Sequence, residues 1–374
     1  MRNDSNSKEM SKSLLVFIFV IGFLLGSITS NLVFGGNKSE IHINIIYSSE
    51  KASWMTIAYG DFLDYWSENH EEEVIIDMHP YGSSDSVISI LNGEIFPTIW
   101  SPASSIWIPS LNAKWEALTG ESTSLANLSE SVRIIYSPIV IATWEQFNQT
   151  HDISGFLDLH DLCTNPEVDV KLAHTDPRLS NSGLMSVIMA LSAVSYVDSK
   201  DLSLEDLTNE TNQDWLSGLE ASAVMYGKST GFLARYMKSS GPESLTVAFM
   251  YENLVKDISS ISEGGKVIAI YPEEGTLYSD HPFCILNADW ITGDQRMVAE
   301  EFLEFLNQTD TVKTAMDYGF RPIDTSIPLD PEVFNYETNG IAYDLLVPEE
   351  TTPEDGDVLL KIPDLWLLCK STST

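Results

Sequence analysis

Hydrophobic and polar positions along the chain alternate in units that predict a strand, a turn and then a helix. Residues 41–47 are mostly apolar and β-branched, which predicts a strand, and Ser48–Glu50 then interrupts the apolar run. From Trp54 to Trp66 apolar residues recur every three or four positions, the period of an amphipathic helix. A second unit of the same kind spans 74–91. The chain therefore opens with repeated β–α units.

A third strand near 98–100 runs into the serine-rich segment 101–105 and then into another apolar helix. Consecutive β–α units need right-handed crossovers, which produce a parallel sheet. In such sheets ligands bind outside the carboxyl ends of the strands. We therefore expect the three hydroxyl-rich turns to lie at one edge of the first sheet.

A second sheet is predicted further along the chain. Residues 134–143 form a long β-prone run that contains Pro138, and a short strand follows at 171–174. The apolar segment 184–196 predicts a helix whose first turn follows Ser180–Gly183, where hydroxyl and amide side chains can cap it. The remaining elements are predicted as a helix over 215–226, a strand over 267–271, a returning strand over 283–286, two amphipathic helices within 294–318, a covering loop over 323–357 and a docked helix or turn over 358–369.

The N-terminal part of the chain carries the strongest local signal. Residues 14–34 are apolar over close to the 20 positions that a helix needs to cross a bilayer. Basic residues precede the span, which predicts a cytoplasmic segment 1–13 and an extracellular remainder, a single-pass arrangement at the cell membrane. The same features describe a cleavable signal peptide, and both readings stay open. No cysteine follows the span to accept a lipid.

The net charge of the chain limits the classes of partner that it can bind. The formal net charge is −35, from 55 acidic and 20 basic residues. Such a surface repels phosphate backbones, which excludes nucleic acid as a partner and is typical of an exported, salt-exposed protein. The three cysteines are widely spaced and allow at most one intrachain disulfide. The seven histidines form no H-E-x-x-H pattern, so neither a metal nor a cofactor is expected.

Several short motifs follow one another along the chain, namely Tyr47–Lys51 followed by Trp54, Ile99–Ser105, His174–Pro177 with Ser180–Gly183, Tyr226–Gly231, Tyr271–Thr276 with Ser279–Pro282, and Tyr318–Pro322. In this order they resemble the motifs of bacterial and archaeal extracellular solute-binding proteins related to the molybdate-type receptors. The resemblance runs from about residue 41 to the C-terminus. It implies an α/β, two-lobed type II periplasmic binding-protein fold after the N-terminal transmembrane helix. Lobe one would comprise 41–139 plus 283–374, and lobe two 140–282.

The resemblance also implies a function. The extracellular part would capture a small polar solute between the lobes, close by a hinge motion and deliver the solute to the membrane permease of an ABC transporter. No reaction is implied, and a monomer is expected. A sensory or adhesion module that keeps the fold for protein contacts is the alternative from another class.

The sequence leaves the identity of the solute open. Molybdate-type receptors hold an oxyanion with serine hydroxyls and helix-start N–H groups, and serines here could do the same. The acidic charge opposes an anion, and Tyr81, Trp100 and Trp107 could instead form apolar platforms for an organic solute. The residues expected to bind the ligand are Ser48, Ser49, Ser83, Ser84, Ser101, Asn181, Ser182, Ser229, Thr230, Tyr251 and Asp280.

One segment of the chain also matches a motif of serine hydrolases. Gly227–Gly231 fits the G-x-S-x-G pattern of a hydrolase nucleophile, which needs a strand before the serine and a helix after it. The pattern over 215–226 predicts a helix instead of that strand. The same segment contains Gly-Lys-Ser, but Ser222 occupies the position where a phosphate-binding loop has glycine. A serine hydrolase is therefore the least favoured reading.

Overall fold

The computed structural model describes residues 40–259 and 264–372. The strands are β1 (Glu40–Ser48), β2 (Glu73–Tyr81), β3 (Ile99–Ser101), β4 (Ile135–Trp144), β5 (Leu172–Thr175), β6 (Ala223–Gly227), β7 (Val247–Tyr251), β8 (Val267–Ile270), β9 (Thr276–Ser279), β10 (Cys284–Ile285), β11 (Arg321–Pro322) and β12 (Glu349–Glu350). The helices are α1 (Ala52–Asn69), α2 (Ser83–Leu91), α3 (Trp107–Thr119), α4 (Glu145–His151), α5 (Phe156–Thr164), α6 (Asn181–Ser195), α7 (Leu204–Thr208), α8 (Glu210–Glu220), α9 (Thr230–Ser240), α10 (Glu252–Ser259), α11 (Gly293–Leu306), α12 (Thr309–Asp317), α13 (Tyr336–Asn339) and α14 (Gly356–Thr372).

The first sheet has the strand order β10-β3-β1-β2. Strand β1 runs parallel to β2 and β3, and β10 pairs with β3 in the antiparallel sense. The apolar residues of β1 are buried, whereas Glu40 and His42 at its start are exposed. Ser48 lies opposite Tyr81, and Tyr47 lies opposite Ser101. The carboxyl ends of the three parallel strands therefore meet at one edge, as the repeated β–α units predict.

The second sheet has the order β12-β9-β4-β7-β5-β6, with β8 and β11 also paired to β4. Strand β4 connects its two halves: residues 135–138 pair with β11 and β9, and 139–144 pair with β7 and β8. Pro138 remains within β4, opposite Tyr278, where the pairing passes from one set of partners to the other. A proline that lacks an N–H is tolerated where the ladder changes partners.

The core of the second sheet is built around α6. Every residue from Asn181 to Ala193 is buried, and a helix that is apolar on most of its faces needs cover on all sides. Phe156 of α5 contacts Phe249 of β7 with ring centroids 5.1 Å apart. In the first sheet the corresponding cluster is Phe62 of α1 against Phe302 of α11, edge to face at 5.0 Å. Each sheet therefore has its own aromatic core.

The chain crosses between the sheets and returns. After β10 it stays with the first sheet, where α11 packs on β1 and α12 on α1. The C-terminal part then moves to the second sheet: β12 pairs with β9, and α14 packs on α6, α7 and α8. This location differs from the expectation that all of 283–374 belongs to lobe one. Trp366 of α14 is buried against the second sheet, where its ring contacts that of Tyr226 in β6 with centroids 5.1 Å apart.

The expected membrane segment 14–34 lies outside the described residues. Within 40–259 and 264–372, no helix is both long and apolar enough to cross a bilayer.

Candidate functional site: the contact face between the two lobes

The predicted serines of the first lobe lie at the carboxyl edge of its sheet and are buried. Ser48 ends β1 and donates a hydrogen bond to Glu50, and Ser49 begins the turn that leads into α1. Ser83 starts α2 and accepts from the N–H of Ala103 at 3.0 Å. Ser101 ends β3 and is fully covered. The first-lobe side of the face therefore consists of hydroxyls that already have protein partners.

The second lobe contributes the starts of α6 and α9. Ser182 of α6 lies 2.7 Å from both Thr175 and Thr230, which forms a short chain of hydroxyl groups. Asn181 donates to the Tyr251 hydroxyl at 3.0 Å. Burial raises the pKa of Tyr251 well above its usual value, so this phenol remains a neutral hydrogen-bonding group. These second-lobe residues are buried among one another.

Direct hydrogen bonds join the two sides. The Trp107 indole donates to Asn181 Oδ1 at 2.8 Å, and the Gly231 N–H donates to Ser49 Oγ at 3.1 Å. The N–H of Ser84 donates to the carbonyl of Leu179 at 3.1 Å. The helix-start donors that could hold an oxyanion are therefore bonded to the chain's own acceptors. A solute can reach them only if the lobes separate.

Two glycines make this approach possible. A Cβ on Gly82 would lie 2.6 Å from the carbonyl oxygen of Leu179, and a Cβ on Gly231 would lie 2.8 Å from that of Ser49. Real Cβ atoms do not approach backbone oxygens so closely. These positions, one on each lobe, therefore need glycine because the opposite backbone packs against them.

Buried charges lie at the centre of the face. The ammonium of Lys51 donates to Ser101 O at 2.9 Å, to Ser101 Oγ at 2.6 Å and to Pro102 O at 3.1 Å. Burial lowers the pKa of Lys51 to about 7. Because three acceptors match the three ammonium donors, the side chain is well satisfied in its charged form. Lys51 therefore ties the turn after β1 to the turn after β3.

His281 and Glu50 form the neighbouring pair. His281 is fully buried in a left-handed backbone conformation with φ of 42°, and its Nδ1 lies 3.3 Å from Glu50 Oε1. Neither ring nitrogen has a hydrogen bond of good geometry. Burial lowers the pKa of His281, whereas for Glu50 the raising effect of burial is outweighed by His281, Lys51 and Ser48, which leave its pKa below the usual value. The pair therefore consists of a carboxylate and a neutral imidazole.

Asp280 borders open space between the lobes. Its Oδ1 accepts from the N–H of Ser105 at 2.8 Å, and its Oδ2 lies 3.5 Å from Arg133 Nη1. It lines a cleft of about 550 Å³ that also includes Tyr136 and Tyr278. A separate groove of about 940 Å³, mostly apolar, lies between α2, α3 and α14 and includes Ser84 and Trp107.

Ser229 corrects one step of the sequence analysis. The segment predicted as a helix over 215–226 is a helix only to Glu220, and β6 follows it, so Ser229 does stand between a strand and a helix. The hydrolase hypothesis fails for another reason. Ser229 has φ of −152° and ψ of 154°, an ordinary extended backbone and not the strained turn of a nucleophile elbow. In the part of the chain that the structure describes, no hydrogen bond links Ser229 Oγ to a histidine.

Neither metal nor disulfide chemistry has a basis in the described residues. Over 40–259 and 264–372, no group of three histidine, cysteine or carboxylate side chains could hold a metal ion. Cys163, Cys284 and Cys369 are all free thiols. Burial raises the pKa of Cys284 to about 12, so this thiol is an unreactive core group.

Sequence reasoning overlooked Lys51, Gly82 and Gly231 as residues of this face. Lys51 follows directly after the first strand and turn, which is the signal that could have placed it at the sheet edge. The apolar period that begins at Trp54 indicates the helix that follows and does not mark Lys51. Gly82 and Gly231 each adjoin a predicted hydroxyl-bearing turn, but only the opposite lobe reveals why they are glycines.

Comparison with known proteins gives concordant results. A family model described as bacterial extracellular solute-binding protein matches residues 52–321. No curated protein matches the sequence.

Solved structures with the same fold are numerous. A putative spermidine/putrescine ABC transporter protein from Listeria monocytogenes is 13% identical with a TM-score of 0.57, and the match covers 88% of this chain and 99% of that one. A periplasmic thiamin binding protein is 10% identical with a TM-score of 0.56, covering 91% and 99%. Iron-bound HitA from Pseudomonas aeruginosa is 15% identical with a TM-score of 0.55, covering 89% and 99%. At these identities the likeness establishes the two-lobed periplasmic binding-protein fold.

Proposed function

The chain belongs to the bacterial extracellular solute-binding protein family, and from this premise we propose that it captures a small polar solute between its lobes and delivers it to an ABC-type transporter. The observation that carries the proposal is the contact face itself. Helix starts and hydroxyl groups from two different sheets meet there, joined by bonds such as Gly231 N to Ser49 Oγ at 3.1 Å. A solute held between the lobes would stabilise the form in which these bonds are made.

The closed arrangement gives the capture step a physical basis. A ligand shifts an equilibrium between open and closed forms only by its differential affinity for them. A solute between the lobes contacts both of them only when the lobes approach. Closure is therefore stabilised by the solute. Several structural neighbours are described as parts of ABC transporters, which supports delivery of the closed form to such a membrane partner.

We place this receptor outside the cell, tethered by residues 14–34. The length and apolarity of that segment suit a bilayer, and basic residues before it favour an inside N-terminus. The acidic surface suits an exported domain. Protease added to intact cells should then digest the receptor domain, and protection of the domain from protease would contradict this location.

The binding test uses full-length protein purified from its own host. Native mass spectrometry should find a copurified small molecule, and Ser49→Ala and Ser182→Ala should each weaken its binding about tenfold by calorimetry. Ser49 accepts from Gly231 across the lobes and Ser182 bonds to Thr230 at the start of α9, so each change weakens the closed form that holds the solute. Ser83→Ala should have the same effect. Ser124→Ala is the control, since Ser124 lies in an exposed loop. Equal affinity for the parent and all four variants would show that solute binding does not depend on this contact between the lobes.

A further inference from the structure

We propose that the solute is an organic cation, held in the cleft between the lobes by the rings of Tyr136 and Tyr278 and the carboxylates of Asp280 and Glu349. The proposal rests on the solute-binding function and adds the chemical class of the ligand. Its basis is the cleft of about 550 Å³ beside Asp280, which stays open while the lobes are in contact.

This cleft is the right kind of space for a small solute. Its volume is about 550 Å³, within the range of small-molecule sites. Ser104 and Ser105 of the first lobe form one wall, and Met185 of α6 in the second lobe belongs to another. Because both lobes contribute walls, a molecule in this cleft contacts both of them and stabilises the closed form.

The aromatic side chains give the cleft its first preference. Tyr136 and Tyr278 lie on the two strands that cross between the lobes, with ring centroids 5.1 Å apart and planes 19° from parallel. Both residues line the cleft. Burial raises the pKa of both tyrosines, that of Tyr278 to about 12, so the rings stay neutral. Aromatic faces attract ammonium and guanidinium groups.

The charged residues that line the cleft also favour a cation. The cleft is lined by three carboxylates, those of Asp280, Glu349 and Glu350, and by one guanidinium, that of Arg133. Glu350 already accepts from the N–H of Ser199 at 2.7 Å. Asp280 accepts from the N–H of Ser105 through Oδ1, which leaves its Oδ2, beside Arg133, and the carboxylate of Glu349 as the acceptors for a cation. An anionic solute would meet an excess of negative charge here, on a protein whose formal net charge is −35.

Arg133 shows how a cation fits. Its Nη1 lies 3.5 Å from Asp280 Oδ2, a loose contact, and its side chain is about half exposed (49%). The pair is therefore weak and easily replaced. We take Arg133 as the chain's own occupant of the position that the cationic group of the solute would fill.

The donors suited to an oxyanion are engaged elsewhere. Ser84 N and Asp85 N both donate to the carbonyl of Leu179, and Gly231 N donates to Ser49. In the closed form these groups cannot also hold an anion. The cleft that remains in the closed form is lined instead by carboxylates and aromatic rings, which recognise positive charge.

Calorimetry on the full-length protein in mild detergent tests the class with five probes. Three are organic cations of different shape, namely choline, 1,4-diaminobutane and agmatine, and the other two are molybdate and maltose. At least one cation should bind, with neither molybdate nor maltose binding. If molybdate or maltose binds and no cation does, the cation proposal is overturned while the solute-binding function stands. If no probe binds, the cation proposal also fails, and the function itself fails only if native mass spectra show no copurified solute.

Four variants locate the binding cation. Asp280→Asn and Glu349→Gln should each weaken it about tenfold, and Tyr278→Leu about fivefold, whereas Tyr278→Phe keeps the ring and should keep most of the affinity. The matched control is Asp310→Asn, whose carboxylate is 97% exposed on α12. Unchanged affinity in Asp280→Asn, Glu349→Gln and Tyr278→Leu, with the folded state verified by circular dichroism, would overturn the assignment of this cleft.

Arg133→Gln supplies the sharpest result because its expected sign is opposite. Removing the guanidinium frees Asp280, so cation affinity should rise severalfold while folding is preserved. A general loss of structure cannot imitate a gain. A decrease in cation affinity for Arg133→Gln would contradict the view that Arg133 occupies the solute's position.

Discussion

Two buried acid–base pairs in this protein are chemically similar, but one is fully hydrogen-bonded and the other is not. Arg321 and Glu252 form a bidentate pair, with Nε–Oε2 at 2.7 Å and Nη2–Oε1 at 2.8 Å, and the guanidinium also donates to the carbonyls of Ala342 and Tyr343. His281 and Glu50, on the face between the lobes, have one contact of 3.3 Å and two ring nitrogens without good hydrogen bonds.

The two pairs indicate that the region around Arg321 has a fixed geometry, whereas the region around His281 can rearrange when the lobes separate. Arg321 holds the covering loop to the second sheet, and its bonds to Glu252 raise its pKa despite burial. A fully bonded pair of this kind has one preferred geometry. The Glu50–His281 pair lies where the lobes must separate to admit a solute. A network that is incomplete in the closed form can gain partners from a ligand or from water on opening.

The largest effect is expected for Arg321→Met. It leaves the Glu252 carboxylate buried without its guanidinium, and the free energy of unfolding should fall by about 3–5 kcal/mol. Urea unfolding at pH 7 measures the loss. Lys313→Met is the control, because its partner Asp310 is almost fully exposed and the pair should contribute less than about 1 kcal/mol. Equal losses for the two variants would remove the structural role assigned to Arg321.

A smaller effect is expected for Glu50→Gln, about 1–2 kcal/mol at pH 7. The pKa of Glu50 is lowered on folding, so its carboxylate contributes stability above its unfolded pKa of about 4.5, and this contribution is lost as pH falls through the lowered folded pKa. Unfolding curves of the parent and the variant should therefore differ at pH 6–7 and converge in acid. A loss as large as that of Arg321→Met would show that the two pairs are equivalent and end the comparison.

The smallest change in stability, but a visible change in shape, is expected for Gly231→Ala. The added Cβ would lie 2.8 Å from the Ser49 carbonyl oxygen, so the lobes should move apart while each keeps its core. Small-angle scattering should show an increased radius of gyration with a loss of stability below about 1 kcal/mol. Gly293→Ala has open space around it and should leave the scattering unchanged. An unchanged radius in Gly231→Ala would mean that this contact does not hold the lobes together.

Local patterns predicted most of the elements because each depends on nearby residues. The period of apolar positions gave β1, α1 and the long strand around Pro138 with bounds close to those observed. The prediction was wrong at Ala223–Gly227, which forms a strand. There the helix α8 ends at Glu220 and the strand begins within three residues, too short an interval for a periodic pattern to register the change.

Predicting the site was harder, since a residue's role depends on what lies opposite it. Ser49 and Ser182 were predicted to face the ligand, and the structure brings their neighbourhoods together across the lobe contact. Whether they bind a solute remains a prediction. Tyr136, Tyr278 and Glu349 were not singled out, because a tyrosine in a strand or a glutamate in an acidic loop has no local pattern that marks a cleft.

Local periodicity and composition are enough to predict the order of β–α units, the acidic surface and the hydroxyl-rich turns at strand ends. Which of those hydroxyls are bonded across the lobes, and which side chains border open space, depends on the tertiary structure. Trp107 contacts Asn181, and Tyr136 stacks on Tyr278, although these residues are far apart in the chain. Such contacts arise from packing two sheets against each other, and no local pattern encodes the packing.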